Sequence, residues 1–184
     1  MDIVYIVALE TELPQQNNID IRYCGVGKVN ATYVAMKAIA DGAKKIVNFG
    51  TAGLVNSNRD LTGLHKVTHI AQRDMLAEPQ APRSVTPFEE SAVAGEIALA
   101  PLRDITLGTG DSFVMDPDDW FTQNQIDVVD MEAYGIAKVC ALENVDFECY
   151  KWISDFADEN AMKDWQKNQA EGAKTFLDLI HGFV

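Results

Sequence analysis

The sequence predicts an α/β fold, a three-layer αβα sandwich around a central mixed, mostly parallel sheet. Three observations predict it. Short apolar runs alternate with stretches of helical periodicity along the chain, which is the pattern of βα units. The apolar runs are continuous, as they are in strands covered on both faces. The 184 residues, 47 % of them apolar, suit one core, so residues 1–184 are expected to form a single domain.

The elements follow in order. Asp2–Ala8 reads as a buried strand because its apolar run is short and unbroken. Asp20–Cys24 is a second short strand, leading into Gly25-Val26-Gly27. Over Lys28–Asp41, Val29, Tyr33, Met36 and Ile39-Ala40 recur at helical spacing, and Gly42 supplies a stop. Lys45–Phe49 is a strand ending at Gly50-Thr51-Ala52-Gly53, and Leu64–Ala71 is another. Arg73–Glu90 is rich in proline and polar residues and reads as a long surface loop. Asp104–Leu107 and Asp127–Asp130 are strands. Glu132–Glu143 is a helix with Ile136, Val139, Cys140 and Leu142 on its apolar side. Phe147–Ile153 is the last strand. Glu159–Gly182 is a long amphipathic helix whose stripe is Met162, Trp165, Ala173, Phe176, Leu177 and Ile180, interrupted by Gln169.

Composition narrows the partners. A formal net charge of −13 disfavours nucleic acid, which needs a basic face, and equally an anionic membrane. A small neutral substrate fits better. Cys24, Cys140 and Cys149 are odd in number and form no CxxC pair, so neither a disulfide framework nor a zinc site is expected. No apolar run approaches the ~20 residues of a membrane span, and the first residues do not read as a signal peptide. A reduced, cytoplasmic setting is expected.

In parallel-sheet folds, ligands sit at the carboxyl ends of strands. Here those ends carry Glu10 and Glu12, Thr51, Asp111-Ser112-Phe113-Val114, Asp130-Met131-Glu132, and Ser154-Asp155-Phe156-Ala157-Asp158. Acidic groups gathered at one sheet edge repel one another, and such strained sets are often functional. Each has a structural alternative: Asp158 as a cap of the last helix, Glu132 as a favourable charge at a helix start, Glu10 as a solvated surface residue. Gly25-Val26-Gly27-Lys28 has neither Walker spacing nor the third glycine of a dinucleotide fingerprint, and a tight strand-to-helix turn accounts for it.

Six segments carry a resemblance: Val7-Ala8-Leu9-Glu10-Thr11-Glu12, Gly25-Val26-Gly27-Lys28-Val29-Asn30-Ala31, Asn48-Phe49-Gly50-Thr51-Ala52-Gly53, Gly110-Asp111-Ser112-Phe113-Val114, Val129-Asp130-Met131-Glu132-Ala133, and Ile153-Ser154-Asp155-Phe156-Ala157-Asp158. Each is weak alone. In this order, and across nearly the whole chain, they resemble the nucleoside phosphorylase/nucleosidase superfamily, and most of all its methylthioadenosine/adenosylhomocysteine nucleosidases. The resemblance implies roles. Asp155 matches the general acid at purine N7, and Ser154 the neighbour that orients it. Glu12 matches the carboxylate that activates water. Glu132 matches the group that holds the ribose hydroxyls, with Met131 under the sugar. Phe113 matches the aromatic that stacks on the base, Val114 offers its backbone to the base edge, and Ser112 belongs to the same substrate-binding segment. Thr51 stands where the family usually has serine near the water or ribose. A homodimer is implied as well, and two-fold dimers are the commonest oligomers.

The chemistry suits these residue types. A purine leaves poorly as an anion, so protonation assists departure. The ribose becomes oxocarbenium-like, and nearby carboxylates stabilise that charge. A second carboxylate across the sugar can orient water, as in inverting glycosidases. No metal and no cofactor are needed, and His65, His69 and His181 are scattered. Phosphorolysis would require arginines that fork onto a phosphate. Arg22, Arg59, Arg73, Arg83 and Arg103 all lie outside the six segments, so water is the expected nucleophile; Arg73 or Arg83 could still reach a substrate phosphate. The segment Leu13–Ile19 is too brief for the family's early hairpin, and Leu54 replaces a second glycine. The 5′ substituent therefore stays open among methylthioadenosine, adenosylhomocysteine, adenosine, futalosine and AMP.

Overall fold

A computed structural model describes residues 2–91, 93–156 and 161–181, with side chains of the last segment described from residue 170 onward. Its elements are β1 (Ile3–Val7), β2 (Ile21–Tyr23), α1 (Lys28–Ala40), β3 (Lys45–Leu54), β4 (Gly63–Lys66), β5 (His69–Gln72), β6 (Ile97–Ala98), β7 (Thr106–Thr109), α2 (Asp119–Gln123), β8 (Val128–Asp130), α3 (Ala133–Glu143), β9 (Asp146–Asp155) and α4 (Ala161–His181).

Strand pleating explains the three layers. β1 and β3 send alternate side chains to opposite faces, and both faces are covered. Val4, Ile6 and Ile46 meet α1 and α3 through Ala31, Ala35, Ala38, Ile136, Val139 and Cys140. Val7, Val47 and Phe49 meet α4 through Ala173 and Phe176. Phe176 is fully buried and stacks on Phe49 with centroids 4.3 Å apart. Truncating such an aromatic costs about 3–5 kcal/mol, so α4 is anchored there.

The sheet runs β2-β1-β3-β8-β7-β5-β6, with β9 pairing both β3 and β4. β1–β2, β1–β3, β3–β9, β5–β7 and β7–β8 are parallel; β3–β8, β4–β9 and β5–β6 are antiparallel. The sheet is thus mixed and mostly parallel. β3 is its hinge point: its first half pairs with β1, its last residues Gly53 and Leu54 with β8.

Several expectations are corrected. β3 does not stop at Phe49 but continues through the glycines to Leu54. Those glycines serve proximity rather than a turn: a Cβ on Gly50 would lie 3.2 Å from Lys151 Nζ and 3.6 Å from Glu12 Oε1. The expected strand Leu64–Ala71 is two, because the chain changes partner, from β9 at Lys66 to β7 at His69. Val67 N still bonds to Cys149, while Thr68 N bonds to Ile105. β7 begins two residues later than expected and β9 runs on to Asp155. β6 and α2 are too short to show periodicity. On α1 the buried residues are the alanines, while Val29, Tyr33 and Met36 are exposed; close packing against α3 favours the small face. Leu142 is exposed as well. On α4, Ala173 and Phe176 are buried and Leu177 and Ile180 half-buried, as the stripe predicts. Met162, Trp165, the helix ends at Glu159 and Gly182, and the proposed cap Asp158 lie outside the described residues or side chains.

Candidate active site

The carboxyl ends of β1, β3, β8 and β9 and the loop after β7 close around a cavity of about 260 Å³. Glu12, Thr51, Ser112, Phe113, Val114, Met131, Glu132, Ser154 and Asp155 all line it, so the structure brings together every residue to which the resemblance gave a role. Glu10 is exposed instead, and Asp111 faces Lys28 at the outer edge.

Glu12 sits in a tight turn after β1, where its N–H bonds to Leu9 O at 3.0 Å. The turn folds its side chain inward, and it is only 5 % exposed. Its Oε1 accepts from Thr51 N at 2.9 Å and Thr51 Oγ1 at 2.6 Å, and its Oε2 from Leu9 N at 3.3 Å. A buried carboxylate needs such donors. Thr51 supplies two because β3 continues past Phe49.

Glu132 is the residue before α3 and is also buried. Its Oε1 accepts from Gly27 N at 3.0 Å. Gly27 holds φ at 99°, a conformation that favours glycine, in the turn that presents its N–H to Glu132. Burial, and next the charge of Asp130, push the Glu132 carboxyl up to about 7, against the opposing pull of Lys151 and the Gly27 N–H.

Asp130 is a structural carboxylate. Its Oδ1 accepts from Thr109 Oγ1 at 2.5 Å, and its Oδ2 from Ala133 N at 2.9 Å and Glu132 N at 3.3 Å. It thereby satisfies free N–H groups at the start of α3. It also pairs with Lys151 Nζ at 2.8 Å, both side chains being 1 % exposed. Burial alone would lower the Lys151 ammonium, but Asp130 and then other neighbours, including Glu132, hold it above the ordinary lysine value. Lys151 was missed in the sequence. Its signal was a charge inside a strand otherwise read as doubly covered.

Asp155 ends β9, 7 % exposed. The β3–β9 register advances by one residue on β3 but two on β9 between Ala52/Ile153 and Gly53/Asp155. Ser154 is the extra residue, and such a bulge re-aims the side chains beside it. Ser154 Oγ donates to Asp155 Oδ2 at 2.8 Å.

The wall opposite is formed by the loop after β7. Phe113 stands at the rim, 43 % exposed. Arg73, placed by the sequence in a surface loop, is instead buried and lines the cavity. Its Nη1 donates to Ser112 Oγ at 3.0 Å, so this hydroxyl is engaged with the protein. Buried carboxylates facing an apolar and aromatic wall can hold a polar ring with an attached flat heterocycle and stabilise positive charge between them. That arrangement defines a small-molecule site in an α/β fold.

Comparison with known proteins places the fold. Residues 13–184 match the pattern of the Phosphorylase superfamily, and the chain belongs to that family. It is 28 % identical to the 5′-methylthioadenosine/S-adenosylhomocysteine nucleosidase of Anoxybacillus flavithermus, over 91 % of this chain and 80 % of that protein. Among solved structures, it is similar to the 5′-methylthioadenosine/S-adenosylhomocysteine nucleosidase of Helicobacter pylori with butyl-thio-DADMe-Immucillin-A. The TM-score is 0.83 at 21 % identity, covering 100 % of this chain and 99 % of the other. It is also similar to the futalosine hydrolase of Helicobacter pylori, with a TM-score of 0.82 at 20 % identity, covering 99 % and 98 %. At these identities the structural likeness is one of fold.

Proposed function

We propose that this protein hydrolyses the N-glycosidic bond of a purine nucleoside, with 5′-methylthioadenosine or S-adenosylhomocysteine as substrate, releasing adenine and the thioribose. One observation carries the reading: Glu12, Glu132 and Asp155, distant in sequence and all buried, line one cavity beside Phe113. The curated relative of that name supports the substrate class.

In the proposed reaction the base stacks on Phe113, and Val114 meets its edge through the backbone. Asp155, oriented by Ser154, gives a proton to N7. The C1′–N9 electron pair leaves with the base, and positive charge grows on the sugar. Glu132 accepts the ribose hydroxyls, Met131 packs beneath the ring, and Ser112 and Thr51 complete the substrate wall. Glu12, steadied by Thr51, takes a proton from water as its oxygen bonds to C1′. Water is favoured over phosphate because a dianion would enter beside Glu12, Asp130 and Glu132, while Arg73 directs its N–H groups to protein oxygens. Ala8, Leu9 and Val26 give the cavity apolar wall, which suits an alkylthio 5′ group and hence a role in methionine salvage.

The deciding assay compares methylthioadenosine, adenosylhomocysteine, adenosine, inosine, AMP and futalosine, each with and without phosphate. Adenine release from the thioethers without phosphate is expected. Turnover that depends on added phosphate defeats the hydrolase reading.

The chain is further proposed to work as one domain, in the cytoplasm and as a homodimer. Unpaired cysteines support the compartment, and among the described residues no helix is long and apolar enough to cross a membrane. Val29, Tyr33 and Met36 form an exposed apolar stripe on α1, continuous with Val26 at the cavity. That continuity supports a second copy of the chain as its cover. Light scattering should give twice the chain mass, and Tyr33→Glu should give the monomer; a wild-type monomer refutes the dimer.

A further inference from the structure

Arg73, directly after β5, makes more bonds around the cavity than the roles above require. It is 4 % exposed. Its Nε donates to Gly108 O at 3.2 Å, its Nη1 to Ser112 Oγ at 3.0 Å, and its Nη2 to Gly110 O at 2.9 Å and to Ser112 O. These acceptors span the end of β7 and the loop that presents Phe113 and Val114. The seat is matched from the loop side: a Cβ on Gly110 would stand 2.8 Å from Arg73 Cζ and 2.9 Å from Asp74 Cγ.

Neighbours lock the same loop. Asp74 Oδ2 accepts from Asp111 N at 2.8 Å. Lys28 Nζ bonds both Asp74 oxygens, at 2.6 and 2.5 Å, and reaches Asp111 Oδ2 at 3.2 Å. Arg83 Nε holds the Arg73 carbonyl at 2.7 Å. A guanidinium buried against carbonyls is an expensive way to hold a loop, since burial disfavours its charged form. Its planar fork does what no other side chain does, fixing several acceptors in one plane at once. The N–H groups so used are spent on protein oxygens, so they serve the loop and not a bound anion.

We propose that Arg73 is a positioning residue for base recognition: it fixes the 110–114 loop so that Phe113 and the Val114 backbone form a rigid shelf for the purine. This rests on the purine-nucleoside reading above. Arg73 acts through Phe113 and Val114 and touches no reacting atom.

The test measures the Kd of free adenine by calorimetry, and kcat and KM for methylthioadenosine, in wild type, Arg73→Lys, Phe113→Ala and the double variant. Displacing a recognition group by about 1 Å can cost up to roughly 100-fold, but Arg73 can cost no more than the shelf it positions, so Arg73→Lys is expected to raise adenine Kd and KM by roughly 5- to 30-fold, with kcat changed by less than about threefold. On the Phe113→Ala background the same substitution should add less than about threefold, because coupled groups are not additive. An unchanged adenine Kd, a loss confined to kcat, or full additivity with Phe113→Ala overturns the proposal. Should Arg73→Lys fail to fold, Gly110→Ala crowds the same seat while keeping the arginine, and must raise adenine Kd likewise. A wild type that binds adenine but hydrolyses no nucleoside defeats the function proposed above, and the adenine titration still decides the role of Arg73. A wild type that does not bind adenine defeats this inference.

Discussion

The floor and the rim of the cavity are built on opposite principles. The floor gathers Glu12, Asp130 and Glu132 around Lys151, every one of them buried. Each carboxylate there is held by hydrogen bonds from elements distant in sequence. The rim is Val26 and Phe113, both substantially exposed. It gains little by folding and is held by loops. The difference teaches where the molecule accepts strain. At the cavity, charges are desolvated on the floor, where hydrogen bonds and the Lys151 ammonium offset the cost, and apolar groups are left in water at the rim, where a ligand can cover them.

That contrast can be broken at graded cost. The largest effect is expected at Asp155. Asp155→Asn keeps the shape but removes the proton donor, and general acid catalysis accounts for roughly 10²–10⁴-fold. The substitution should lower kcat by about that much with adenine still bound. Retained turnover would remove Asp155 from the mechanism.

Lys151→Met should come next, acting on stability. It leaves Asp130 charged and unpaired in the interior, which costs about 3–5 kcal/mol. A denaturant titration at neutral pH should show that loss, and a second change, Asp130→Asn, should recover part of it. A melt indistinguishable from wild type would mean that the buried pair does not organise the floor.

Glu132 gives a smaller effect with an opposite sign on its two readouts. Its folded carboxyl lies near 7 against a reference of 4.5. A raised folded value means the native state binds the proton more tightly. The stabilisation from that proton is complete below about 4.5 and lost as pH rises through about 7. Glu132→Gln, which cannot ionise, should therefore melt higher than wild type at pH 8 and about equally at pH 4.5, a gain of roughly 1–3 kcal/mol at most. It should also turn over substrate poorly, because a neutral amide grips two hydroxyls less well than a carboxylate does. Equal melting at pH 8 would show that the floor is not strained.

Phe113→Ala should be the mildest and should divide floor from rim. Loss of a half-exposed stacking face is worth about 1–2 kcal/mol, the lower part of the range for a base on an aromatic side chain, which should appear in KM while melting stays near wild type. A fall in stability as large as that of Lys151→Met would show that the rim is part of the core.

Much of the cavity was legible because its residues sit at strand ends, and strand ends show as apolar runs that stop. Glu12, Thr51, Phe113, Glu132 and Asp155 were each visible that way. Lys151 and Arg73 were not, since what places them is a partner across the sheet. Lys151 faces Asp130 from β9, and Arg73 reaches the loop after β7 from β5. The α1 stripe misled for a related reason. Periodicity identifies a helix and its two faces, but the neighbouring helix decides which face is buried, and α3 selected the alanines.

By itself the sequence determined the order of the longer strands and helices, the doubly covered sheet, and the short polar segments that end its strands, because these depend on local periodicity and on what a buried backbone tolerates. The tertiary structure alone decided how long β3 runs, where the chain changes partner between β4 and β5, and which charges neutralise one another beneath the cavity. Pairing energy and desolvation act between residues from about twenty to about a hundred positions apart, and nothing within a short window of sequence records them.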